Sequence, residues 1–100
     1  MMLQWTPKAA SDLAEIKRYI GQDDPNAALK LIRRIVDRAE RLPENPESGP
    51  ELREKRWPKD RIRYLTIDRY LLFYRIDAEA IRVIRVLHSA RQYSALLYEK

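Results

Sequence analysis

Residues 61–88 read RIRYLTIDRYLLFYRIDAEAIRVIRVLH, and this stretch decides the fold. Three runs, 61–67 (RIRYLTI), 70–76 (YLLFYRI) and 81–88 (IRVIRVLH), are rich in β-branched and aromatic residues and alternate with period two. Asp68-Arg69 separates the first pair of runs and Asp77-Ala78-Glu79-Ala80 the second. Short polar links between such runs predict two tight hairpins, hence a three-strand antiparallel meander. Strict alternation of side chains would place Arg82, Ile84, Val86 and His88 on one face of the last strand. Ile81, Val83, Arg85 and Leu87 would then share the other, and Arg61 and Arg63 would share a face of the first run.

Working toward the N-terminus, the period changes. Thr6-Pro7 reads as a helix start, because Thr caps a free N–H and Pro is tolerated at the first helical position. Ala9, Leu13, Ile16 and Ile20 follow at helical spacing, with Tyr19 beside them, so residues 7–20 are predicted helical. Gly21 is the expected stop, in the left-handed conformation that glycine takes most easily. Asp24-Pro25 opens a second helix whose apolar stripe is Ala28, Leu31, Ile32, Ile35, Ala39 and Leu42, with Pro43 as its end. The link between the helices is so short that they must form an antiparallel hairpin. Residues 2–5 are suited to a strand that adds to the sheet. Residues 43–60 hold four of the six prolines and one of the two glycines, and read as a loop anchored by Trp57. The tail predicts one short helical segment from about Ala90 to Tyr98.

The expected fold is therefore α+β. A helix hairpin packs on one face of a small antiparallel sheet, in the order β-α-α-β-β-β with a short C-terminal helix, and the opposite sheet face stays open. One hundred residues suffice for a single domain, 1–100, with one core.

Composition narrows the chemistry. No cysteine is present and only one histidine, which argues against a disulfide framework, thiolate zinc sites and thiol nucleophiles. No run approaches a membrane span, the N-terminus lacks a signal pattern, and a cytoplasmic location is expected. Two glycines leave no phosphate-binding loop, and no serine triad is visible. The expectation is no metal, no cofactor, no membrane and no small-molecule ligand. The charge of +5 is uneven: residues 1–52 carry 8 Lys/Arg against 9 Asp/Glu, and residues 53–100 carry 12 against 6. Such asymmetry points to an anionic partner, nucleic acid or an acidic protein. Arg61, Arg63, Arg75, Arg82, Arg85 and Arg91 are the candidate target-binding residues, since guanidinium forks match phosphates and carboxylates. The competing reading pairs these arginines with acids across the sheet. If the chain is catalytic, Arg85, His88, Arg91 and Tyr93 are the candidates, as cations and acid–base groups around a phosphate attacked by a 2′-hydroxyl.

Four stretches carry a resemblance: WTPKAASDLAEIKRYI at 5–20, DPNAALKLIRRI at 24–35, YLLFYRID at 70–77 and IRVIRVLHSAR at 81–91. In this order and spacing the chain resembles the RelE/ParE superfamily of type II toxin–antitoxin toxins, closer to the ParE-like branch. The resemblance implies a growth-inhibiting toxin neutralised by a cognate acidic antitoxin that wraps it with a helix and an extended stretch. ParE-like members poison DNA gyrase, whereas RelE-like members cut messenger RNA on the ribosome. The ending VLHSAR looks ParE-like. Arg85, His88, Arg91 and Tyr93 lie about where the nuclease branch keeps its groups, but that branch's dense lysines are replaced by Lys55, Arg56, Lys59, Arg61 and Arg63. A basic nucleic-acid-binding protein without toxicity is the third reading.

Overall fold

A computed structural model describes residues 1–52, 61–91 and 96–97. The elements are β1 (Met2–Trp5), α1 (Pro7–Gly21), α2 (Pro25–Glu40), a 3₁₀ turn (Pro46–Ser48), β2 (Arg63–Ile67), β3 (Tyr70–Ile76) and β4 (Ala80–His88). The α+β class holds. Trp57 lies outside the described residues, as does most of the predicted C-terminal helix; at its predicted start Ala90 and Arg91 form a turn rather than helix, while Leu96 and Leu97 are helical.

The helix starts behave as their residues dictate. Thr6 Oγ1 accepts the Ala9 N–H at 3.1 Å and Asp24 Oδ1 accepts the Ala27 N–H at 3.1 Å. Pro7 and Pro25 occupy positions whose N–H has no intrahelical acceptor to lose. Two details differ from expectation. Gly21 closes α1 within the helix, and no glycine takes a positive φ. The chain turns instead through Gln22 and Asp24, whose N–H groups donate back to Arg18 and Ile20. Helix α2 ends at Glu40 rather than at Pro43, and its last turn tightens through bonds from Arg41 and Leu42 to Arg38 and Ala39.

The sheet order is β1-β4-β3-β2. β2, β3 and β4 form the predicted antiparallel meander, with Asp68 left-handed (φ 54°) in the first turn. β1 corrects the expectation of an antiparallel sheet: it pairs with β4 in parallel, Met2 opposite Ala80 through Trp5 opposite Val83. A parallel partner needs a long crossover, and the helix hairpin supplies part of it. The helices bury Ile16, Leu31, Ile35 and Ala39 against Leu65, Ile67, Leu72, Tyr74, Ile81, Val83 and Val86. Tyr74 is fully buried, yet its hydroxyl is satisfied, donating to Pro46 O at 2.8 Å and accepting the Gly49 N–H at 3.0 Å. That clasp draws the 46–49 segment against β2.

The opposite sheet face is not open, which corrects a second expectation. Phe73 and Leu87 are buried there with Ile62, and Leu52, Tyr64, Leu71, Ile84, Leu96 and Leu97 pack against them. Both sheet faces are apolar, so both must be covered.

Two substitutions test this packing. Leu31→Ala should cost about 2–5 kcal/mol by urea denaturation, the usual range for truncating a buried leucine. A Cβ on Gly49 would lie 2.3 Å from Tyr64 O and 2.8 Å from the Tyr74 hydroxyl. Gly49→Ala should therefore cost about 1–3 kcal/mol through overpacking, seen as a lower urea midpoint.

Candidate functional site

The site grows from a break in β4. Phe73 stands opposite Arg85 while its neighbour Tyr74 stands opposite Val83, so Ile84 is an extra residue and β4 bulges. The cause lies in α1. β1 ends at Trp5, and from there α1's first turns supply the hydrogen bonds that a strand would have made. Thr6 N–H donates to Val83 O at 3.0 Å and Thr6 Oγ1 donates to Ile84 O at 3.0 Å. Asp12 Oδ2 accepts the Val86 N–H at 2.9 Å. The same carboxylate receives Arg85 in a fork, from Nε at 2.8 Å and Nη2 at 2.9 Å. Both side chains are largely withdrawn from solvent, 14% exposed for Arg85 and 13% for Asp12.

The bulge shifts parity. Ile81 and Val83 face the helices, but so does Val86, which strict alternation puts on the other face. His88 therefore lines a groove of about 440 Å³ between α1 and the end of β4. Asp12, Ile16, Arg18, Tyr19, Tyr70, Val86 and Arg91 share its walls. Tyr70 meets the His88 ring edge-on, with centroids 5.2 Å apart. Burial raises the Tyr70 hydroxyl above its ordinary range, and neighbouring Tyr19 raises it further. His88 Nδ1 accepts the Ala90 N–H at 3.1 Å, which leaves the ring hydrogen on Nε2 in the neutral form. On the rim, Arg18 pairs with Glu15 at 2.9 Å. That contact holds the Glu15 carboxyl below and the Arg18 guanidinium above their ordinary values.

The sequence-derived candidates do not form one surface. Arg85, His88 and Arg91 converge on this region, with Arg85 tied to Asp12 and to Leu96 O at 3.4 Å. Tyr93 lies outside the described residues. Arg63 sits at the far strand β2, donating to Gly49 O at 2.7 Å with Glu51 at 3.7 Å. Arg82 pairs with Asp77 and donates to Gln4 Oε1 at 2.7 Å. Arg75 stands opposite Arg82 and is half-buried, and Arg61 is exposed just before β2 rather than within it. Among the described residues Arg63, Arg82 and Arg85 pair with acids, as the competing reading held. Among the described residues no cluster of three His, Asp or Glu side chains could hold a metal ion. Sequence reasoning missed Asp12, Arg18 and Tyr70. The signal for Asp12 was present: it lies three residues after Ala9 and four before Ile16, a carboxylate on the buried stripe.

Residues 3–93 match the family model for the ParE toxin of the type II toxin–antitoxin system, parDE. The chain belongs to the ParE toxin family. The Y4kP protein of Sinorhizobium fredii is 34% identical over 95 residues, covering 95% of each chain. Toxin RelE2 of Caulobacter vibrioides is 33% identical over 91 residues, covering 87% of this chain and 93% of that one. A chain of the chromosomal ParDE TA system from P. aeruginosa superposes with a TM-score of 0.71 at 27% identity, covering 88% of this chain and 95% of that one. The fold of this ParE-family toxin thus recurs in the P. aeruginosa ParDE chain at 27% identity.

Breaking the buried pair is the direct test of the bulge. Asp12→Ala should cost about 3–5 kcal/mol, because it strands the Arg85 charge. The double variant Asp12→Ala/Arg85→Ala should lose less than the sum of the single losses in a urea double-mutant cycle.

Proposed function

We propose that this toxin inhibits growth by binding a protein target, DNA gyrase, through the α1–β4 groove and its basic rim, and that a cognate acidic antitoxin neutralises it. The observation that carries the reading is the commitment of Arg85 to Asp12. A cation locked in an internal fork is poorly placed to stabilise a phosphorane in a substrate. His88 Nδ1 is likewise engaged by the Ala90 N–H, and so serves the turn. What remains is a concave surface with aromatic walls and exposed arginines. Such residues are characteristic of binding hot spots. The family match and the ParDE relative support the toxin role and an antitoxin partner.

The second reading is a RelE-like ribosome-dependent endoribonuclease acting on messenger RNA. Its support is that His88 and Arg91 line one groove with Tyr19 and Tyr70, four side chains able to contact a base and its phosphate.

Purified toxin should abolish supercoiling by gyrase and accumulate cleaved DNA. Unaffected supercoiling together with codon-positioned cuts in primer extension would overturn the gyrase reading for the nuclease. Arg91→Ala, an exposed change, should weaken growth inhibition by about tenfold or more, equivalent to about 1.4 kcal/mol of binding, at an unchanged melting temperature. Arg85→Ala should instead lower the melting temperature, and any loss of toxicity there follows from the fold.

A further inference from the structure

A second concave surface lies at the β2 edge of the sheet, away from the α1–β4 groove and with no lining residue in common. It is a recess of about 340 Å³ between the end of α2 and β2, lined by Arg38, Arg41, Glu44, Asn45, Ser48 and Leu65. Its walls are held from behind. Ala39 and Leu42 are buried in the core. The Tyr74 hydroxyl clasps Pro46 O and the Gly49 N–H, so the segment that bears Asn45 and Ser48 is fixed before any ligand binds. Free carbonyls make a helix C-terminus hostile to anions. Here the N–H groups of Arg41, Leu42 and Asn45 donate to the carbonyls of Arg38, Ala39 and Leu42, which takes those carbonyls up.

The donors of this recess are not consumed by the fold. Arg38 reaches Thr66 O at 3.5 Å, a long contact. Asn45 stands at the start of the 3₁₀ turn, where an asparagine side chain ordinarily caps a free N–H, yet it makes no capping bond. Among the described residues the Arg41 guanidinium and the Ser48 hydroxyl meet no partner. Arg63, Arg82 and Arg85, by contrast, are each tied to a carboxylate. We propose that this recess binds the phosphate group of a sugar phosphate, either free or within a nucleic-acid backbone.

Two guanidinium forks, an amide and a hydroxyl line one recess, and these are the donor types that meet phosphate oxygens. Charge alone admits a carboxylate as well, and Glu44 decides between them. An ionised carboxylate only accepts hydrogen bonds, so beside a bound anion it repels unless the ligand brings a donor to it. The hydroxyls of a sugar next to the phosphate supply that donor, in the way an acidic residue holds ribose in dinucleotide sites. An acidic peptide brings further acceptors instead. Leu65 is the one apolar side chain among the described lining residues, which suits a hydroxylated body better than a lipid tail. The volume lies at the small end of ligand pockets, roughly 300–1,000 Å³.

The test titrates the full chain with ribose-5-phosphate and follows the arginine and asparagine side-chain N–H signals by NMR. Arg38, Arg41 and Asn45 should move, and Arg85 should stay in place. Arg41→Ala, an exposed change, should weaken binding about tenfold at an unchanged melting temperature. Glu44→Ala should tighten inorganic phosphate about threefold by removing a like charge, yet leave ribose-5-phosphate no tighter, because the sugar loses its acceptor. An oligoribonucleotide without terminal phosphates separates the two sources. If it moves the same signals at lower concentration, with the same loss in Arg41→Ala, the site stands and its phosphate belongs to a nucleic-acid backbone. Equal shifts with acetate overturn the assignment in favour of a carboxylate. Absence of shifts with every phosphate probe, or full-strength binding by Arg41→Ala, overturns it as well. Gyrase inhibition is scored separately through supercoiling, so either reading can fail without the other.

Discussion

The Asp12 carboxylate is the point on which the rest of the structure turns. It satisfies the Val86 N–H at the place where β1 has run out, and it neutralises Arg85 in a bidentate fork. A buried ion pair contributes little net stability, because desolvating both charges offsets most of their attraction. Its value here is geometric. By bonding Val86 rather than its neighbours it fixes which residue is extra in β4. Without the bulge, strict alternation would turn Val86 and His88 away from the helices and bring Leu87 toward them. The groove exists in its present composition because one carboxylate on α1 holds the strand out of step.

The charge distribution has the same structural logic. The second half of the chain carries twice as many basic as acidic residues, yet this does not translate into a continuous cationic sheet. Arg63 is spent on carbonyls of the 46–49 segment, Arg82 on Asp77 and Gln4, and Arg85 on Asp12. Guanidiniums suit this bracing because a planar fork of donors can hold several acceptors at once while staying charged. The acids they use come from α1, from the turn before β4 and from the segment before β2. A count over one half of the sequence overlooks pairing of this kind, since Asp12 and Glu51 belong to the other half.

Much of the fold was legible because local signals agreed. Thr6-Pro7 and Asp24-Pro25 mark helix starts by satisfying or removing free N–H groups, and the apolar spacing after each has the helical period. The hairpin at Asp68-Arg69 was equally clear. The direction of β1 was not, since four residues carry no register information and both pairing modes accept MLQW. The covered reverse face was not legible, because Leu71, Phe73 and Leu87 are interspersed with arginines and the cluster they form also draws on Leu52, Ile62, Leu96 and Leu97 from outside β3 and β4. In β4, Arg82 and Arg85 stand three apart and Val83 and Val86 likewise, so the run IRVIRV repeats with period three. That repeat was the trace of the bulge, hidden by an overall composition that reads as a plain strand. The site was partly legible: Arg85, His88 and Arg91 were named, but the partner that decides Arg85's role lies seventy-three residues away.

The turn after β4 shows how the fold prepares a surface for contact. Ser89 N–H donates to Arg69 O at 2.8 Å, Ala90 N–H to His88 Nδ1 at 3.1 Å and Arg91 N–H to His88 O at 3.0 Å. Each backbone donor in the turn is thereby satisfied before any partner arrives. The imidazole that anchors it is in turn steadied by the Tyr70 ring. Ordering a flexible segment at an interface subtracts from affinity, so a turn already fixed presents Arg91 at a smaller entropic cost. The conformational expense of displaying this arginine is met when the chain folds, and through the bulge it traces back to the Asp12 carboxylate.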